Sequence, residues 1–129
     1  MKNTFILILL FAAACTSPAP SSQSKLSMLE MDHKWVVVDE QKTVLYDVFL
    51  YDNGPDAPSE GLYRIVKDGK IGYADASTNA IVIEPQYDCA YPFENGKAKV
   101  STNCKTVKDG EYDVWESDAW QFIDKKGAQ

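Results

Sequence analysis

The chain has 129 residues, with 13 Lys and Arg against 19 Asp and Glu, a formal charge of −6. That length favours one domain, and 45% hydrophobic residues exclude wholesale disorder. An acidic chain repels phosphate and argues against a nucleic-acid partner, while one His and three Cys narrow the metal and catalytic chemistries open to it.

The chain begins with Lys2, an apolar run from Thr4 to Phe11, and Ala12-Ala13-Ala14 leading into Cys15. The run is too short for a bilayer, which needs ~20 residues, and reads as a targeting segment. The small residues before Cys15 resemble the lipobox of bacterial lipoproteins, although Ala12 stands where that family usually has Leu. The resemblance implies a signal peptide over residues 1–14, lipid on Cys15 and a membrane partner through that lipid. Ala12 and Ala14 also form a site for the ordinary signal peptidase, which would leave Cys15 unmodified, and a buried helix is the remaining alternative. Removing residues 1–14 deletes Lys2 alone among the charges and takes the net charge from −6 to −7. From Thr16 to Ser27 the chain is rich in Ser, Pro, Ala and Gln, so residues 15–27 read as a flexible tether. Residues 28–129 are left as the folded domain. Leu26 to Met31 fits either a helical turn or an extended lead-in.

From Lys34 onward the pattern is strand and turn. Trp35 to Asp39 is β-branched and suits a pleated surface. Gln41-Lys42 marks a turn before Val44 to Tyr51, read as one strand. Asp52 to Gly61 holds two Pro and two Gly and reads as a loop. Asp68-Gly69, between Leu62–Lys67 and Lys70–Ala74, is a strong hairpin signal because both turn positions want positive φ. Ile81 to Ile83 follows, with Pro85 expected to end that strand. Lys97 to Val100 starts another strand. Asp109-Gly110 repeats the first turn so closely (TVKDGEYDV beside IVKDGKIGY) that a second hairpin is expected.

Three pentads organise this pattern: Trp35 to Asp39, Ile71 to Asp75 and Trp120 to Asp124. Each has Val, Tyr or Phe at its third position and closes on Asp. The second link carries an extra arm around Asp109-Gly110. The central copy runs on through Ile81-Val82-Ile83-Glu84-Pro85-Gln86-Tyr87-Asp88, Tyr91-Pro92-Phe93, Gly96, Ala98 and Val100. In these residues the chain resembles the bacterial WG-repeat proteins, which repeat a Trp-Gly pair in a strand, an Ile-x-Pro segment, Tyr-Asp and a Phe–Gly–Ala–Val return. No copy here keeps both Trp and Gly: Ile71 replaces Trp, and Val36 and Gln121 replace Gly. The resemblance implies an all-β fold of short antiparallel hairpins in two to three WG-like repeats, with no catalytic chemistry attached. Four propeller blades of ~40 residues would not fit.

Candidate chemistry is sparse. His33 stands alone just before the first pentad, which leaves zinc and general-base schemes without partners. Asp109, Glu111, Asp113, Glu116 and Asp118 crowd the arm, and Asp52 and Asp56 sit in the loop. Neither group fits an EF-hand, and both are expected to be solvated. No catalytic, cofactor or metal residues are assigned. Trp120 heads a pentad and is expected in the core. Trp115 lies in the insertion facing the other way, where it either covers the second face of a small sheet or, with Tyr112, forms a possible binding surface for a sugar or a partner protein. With Cys15 carrying lipid in an oxidising compartment, Cys89 and Cys104 remain to form a disulfide that ties the arm to the preceding repeat.

These readings lead to a non-enzymatic cell-envelope lipoprotein, anchored at the outer membrane towards the periplasm or the cell surface. It presents its repeat surface to a protein or glycan partner. The acidic charge suggests an alternative, a small periplasmic inhibitor of a basic cell-wall hydrolase. A carbohydrate-active enzyme would need a carboxylate pair at a separation that sequence does not set.

Overall fold

The computed structural model of the chain describes residues 24–129. The expected signal peptide, the lipidation site Cys15 and the tether as far as residue 23 lie outside them. The described residues are all-β. Their largest sheet has six antiparallel strands in the order β1-β2-β3-β6-β7-β8. These are β1 (Ser27–Met31), β2 (Lys34–Val38), β3 (Val44–Val48), β6 (Leu62–Lys67), β7 (Lys70–Asp75) and β8 (Ile81–Tyr87). A three-stranded sheet joins β13 (Gln121–Ile123), β10 (Ala98–Ser101) and β9 (Cys89–Ala90). Two ribbons complete the fold: β4 (Leu50–Tyr51) with β5 (Gly54–Pro55), and the arm, β11 (Lys105–Asp109) with β12 (Tyr112–Glu116).

The β6–β7 hairpin is central and buried on both faces. Tyr63, Ile65 and Ala74 join Val37, Tyr46 and Val48 in one cluster. Leu62, Ile71 and Tyr73 join Phe93, Ala98, Val100 and Ile123 of the smaller sheet and its flanks in another. The alternation of side chains along a strand produces the two sets from consecutive residues. Asp68 and Gly69 take the two central turn positions, both with positive φ (53° and 76°).

The three pentads close alike. Asp39 donates its amide to the carbonyl of Thr43, Asp75 to Ala80 and Asp124 to Ala128, at 3.1, 2.9 and 2.8 Å. In each case the Asp carboxylate caps the turn. Asp39 accepts from the amides of Gln41 and Thr43, Asp75 from Ser77 and Thr78, and Asp124 from Lys126 and Ala128. This is the turn for which Asp is selected, because its short side chain reaches its own backbone two residues on. Donation by the hydroxyl and then the amide of Ser77 holds the Asp75 carboxyl below the usual carboxylate range. The amides of Ala128 and then Lys126 do the same for Asp124.

Several local expectations are corrected. The tether ends earlier than expected: Ser27, assigned to it, opens β1 and pairs with Val38, Leu26 packs on the core, and of the two forms left open for this stretch the chain takes the extended one. Val44 to Tyr51 is broken at Phe49, which donates its amide to Arg64 and accepts from the amide of Asp56. The first bond continues the β3–β6 register as far as Phe49, and the second brings the chain back beside it after the loop. The loop that follows contains β5 and a second tight turn, Glu60-Gly61, with Ser59 and Leu62 exchanging backbone bonds. Pro85 does not end its strand. β8 lies at the sheet edge, where a missing donor is tolerated, and it bulges past the proline: Ile71 pairs with Tyr87 but Tyr73 with Ile83. In the arm the central turn residues are Gly110 and Glu111, since Asp109 pairs with Tyr112. Gly110 alone has positive φ (66°), which suits a turn with Gly at its first central position.

Candidate binding groove

Arg64 lies on β6, on the same face as Leu62, and is buried. Its guanidinium grips Asp56 in fork geometry, Nη2 to Oδ1 at 2.7 Å and Nε to Oδ2 at 3.0 Å. The Arg64 amide donates to the same Oδ2, and Nη1 donates to the carbonyl of Ala90. Both side chains are only 5% exposed. The guanidinium carbon stands 4.1 Å above the Phe49 ring. A charge pair taken out of water costs several kcal/mol per ion and persists only when its hydrogen bonds are satisfied. Here they are, so the pair pins residues 49–61 over β6 and against β9.

Above this pin lies a groove of about 1100 Å³. One wall is Phe49, Leu50, Tyr51 and Asp52. The other is the arm, through Thr106, Asp113, Val114 and Trp115, and Tyr91 with Pro92 closes one end. The rings touch edge to face, the preferred aromatic geometry: Trp115 has its centroid 6.0 Å from Phe49 and 5.2 Å from Tyr91. On the far side of Tyr91 stands Trp120 at 5.5 Å, with the Lys99 ammonium 4.7 Å over its ring. A shallower depression of about 650 Å³ continues from Tyr91 and Pro92 towards Lys99 and Phe122.

The two tryptophans therefore differ from expectation. Trp120 is half-buried, not a core residue, and Trp115 is half-buried as well. They do not face away from each other but flank the same tyrosine. The third pentad sits on β10 with its phase changed: Ile123 fills the core and Phe122 is 59% exposed. Trp120 precedes β13 and lies outside the sheet. The second pentad behaves as expected, with Tyr73 fully buried and its hydroxyl donating to the carbonyl of Tyr91 at 2.6 Å.

Cys89 and Cys104 form a disulfide with Cα atoms 5.9 Å apart, inside the ~7 Å that such a bond tolerates. It joins the root of the arm to β9. Asp88 reinforces the junction, accepting from the Cys104 amide at 3.4 Å and from the Lys70 ammonium. Donation by Lys70, then by the Cys104 amide, pulls the Asp88 carboxyl below its ordinary range. Tyr112 is 78% exposed near the arm's tip, opposite Asp109, and does not line the groove. His33 is exposed in the β1–β2 turn. Among the arm carboxylates Asp113 pairs with Lys108 at 2.7 Å, and Asp56 is held by Arg64. Among the described residues no three His, Cys, Asp or Glu side chains are gathered for a metal. Cys15 lies outside the described residues.

Arg64, Phe49 and Tyr51 escaped the sequence reading. The one signal was an Arg at an otherwise apolar alternation in LYRIV, with an Asp eight residues before it.

Residues 71–105 match the family model described as WG containing repeat, which supports the WG-repeat resemblance over the central copy. No curated protein and no solved structure matches the chain.

Proposed function

We infer that this chain is a non-enzymatic, lipid-anchored protein of the bacterial cell envelope that presents the groove beside Arg64 to a protein or glycan partner. The observation that carries the binding reading is the groove itself. Aromatic rings from the loop, β12 and the segment after β9 converge there, held by a disulfide at one wall and a buried ion pair at the other. A pre-set aromatic surface loses little side-chain entropy when it binds. The repeat match at residues 71–105 agrees with a binding role. The envelope assignment is supported by the apolar run and Ala12-Ala13-Ala14-Cys15, and two or more acyl chains would hold the protein firmly at a membrane.

Two measurements test this. A photo-crosslinking residue at position 51, in intact cells, is expected to capture one discrete partner, whereas the same residue at position 68 captures none. Equal capture at both positions overturns the groove as the binding surface. Cys15→Ser is expected to release the protein from membranes, and retention there overturns the anchor.

A further inference from the structure

The two repeats place a cation on an aromatic ring at the same point. Glu60-Gly61 and Asn95-Gly96 are matching turns, all four residues with positive φ, flanked by the reciprocal backbone pairs Ser59–Leu62 and Glu94–Lys97. The turns are 35 residues apart, and the same step carries Arg64 on β6 to Lys99 on β10. Arg64 lies over Phe49 at 4.1 Å and Lys99 over Trp120 at 4.7 Å. Trp115 stands between these two sites, touching Phe49 on one side and Tyr91 on the other. It is partly buried and lines the groove, and among the described residues no cation lies over its ring.

The groove's charge is acidic at this point. Its one lining cation, Arg64, is neutralised by Asp56. That leaves Asp52 on one wall and Asp113 on the other, the latter in an exposed pair with Lys108 that a partner can exchange at little cost. Residues 24–129 as a whole carry 12 Lys and Arg against 19 Asp and Glu, a net −7. An aromatic face flanked by carboxylates attracts a desolvated cation through both the ring quadrupole and the field. A neutral sugar would use the ring and gain nothing from the net charge.

We propose that the groove takes an extended basic peptide segment of a partner protein, with an Arg or Lys side chain seated on Trp115 between Asp52 and Asp113. This rests on the groove being the binding surface and names the chemistry of its partner. It predicts association that weakens as salt rises, because exposed charges are screened over ~10 Å at 0.1 M.

The test uses the full chain in non-ionic detergent with 5-fluorotryptophan, which reports each Trp separately. The probes are hexa-arginine amide, hexa-glutamine amide and chitohexaose. Hexa-arginine is expected to shift the Trp115 signal saturably, and hexa-glutamine to leave it in place. Tyr51→Ala, at a residue 68% exposed and so not needed for folding, should weaken hexa-arginine ~tenfold. Asp52→Asn should weaken it ~threefold or more, with Asp68→Asn, an exposed turn residue outside the groove, changing it by less than ~twofold. Equal losses in Asp52→Asn and Asp68→Asn mean attraction to net charge alone and overturn the proposal. If chitohexaose moves the Trp115 signal and hexa-arginine does not, the binding groove stands and the cationic partner falls. If no probe moves it, both fall.

Discussion

Gly72 lies so close to Pro85 that a Cβ on it would stand 2.6 Å from the proline nitrogen and 2.5 Å from the Ile83 carbonyl oxygen. The cause is the bulge in β8: between the pairs Ile71–Tyr87 and Tyr73–Ile83, Gly72 alone faces Glu84, Pro85 and Gln86. The glycine of the central pentad and the proline of its return strand thus belong to one packing arrangement. The other pentads lack the glycine because they lack the bulge at that point. Val36 pairs regularly with Asp47, and among the described residues Gln121 has a strand on one side only.

Gly72→Ala should therefore destabilise strongly. The clashing atoms are backbone and cannot swing away, and overpacking of this kind costs ~1–3 kcal/mol or more. Gly54, with nothing within 4 Å of its would-be Cβ, is the control, and Gly54→Ala should move a urea midpoint little. Equal midpoints for the two variants would contradict the packing.

The Asp56–Arg64 pair predicts an asymmetry between single and double replacement. Arg64→Met alone leaves a buried carboxylate unpaired and should cost ~3–5 kcal/mol. Asp56→Leu in the same chain removes that charge and should recover part of the loss. Additive losses in urea unfolding would mean that the two groups do not act on each other.

Trp115 and Trp120 both pack on Tyr91, so each should couple to it. A double-mutant cycle of Trp115→Ala or Trp120→Ala with Tyr91→Ala is expected to give ~0.5–1.5 kcal/mol for each pair. Because neither indole is fully buried, Trp120→Ala should not cost markedly more than Trp115→Ala. A loss confined to Trp120 would restore it to the core.

Stability should fall in alkali. Burial pushes the Tyr46 hydroxyl from 10.0 up to about 12, and burial also raises Tyr63 and Tyr73. A raised folded value means that the unfolded chain releases its proton first. The contribution is complete below pH 10 and is lost as pH rises towards 12. Tyr46 also donates to the carbonyl of Asn79. Tyr46→Phe should be less stable at neutral pH and lose less between those values, as read from urea midpoints across pH.

Breaking the disulfide should free the arm. A 15-residue separation corresponds to ~3 kcal/mol in the chain-entropy account. Cys104→Ser with Cys89→Ala should lower stability by about that amount and raise amide exchange in β11 and β12 more than in β6 and β7. Uniform exchange across the four strands would refute the arm's dependence on the bridge.

Local chemistry was legible in the chain itself. The Asp that ends each pentad, the Asp68-Gly69 turn and the β-branched runs are decided within a few residues, by reach of a short side chain, by φ and by pleated packing. So the all-β class and the strands around Ile71 to Asp75 could be read directly. The Cys89–Cys104 pairing was legible by counting, once Cys15 was set aside for lipid. What the tertiary structure alone decided depends on which strand lies beside which. Pro85 stays in its strand because β8 is an edge. Trp120 leaves the core because Ile123 is the residue that β10 turns inward. Arg64 and Asp56 become a buried pair because the chain breaks at Phe49 and folds back over β6. The groove exists because the arm, inserted between two repeats, is tied down opposite that same loop, and no local pattern in either segment encodes the other.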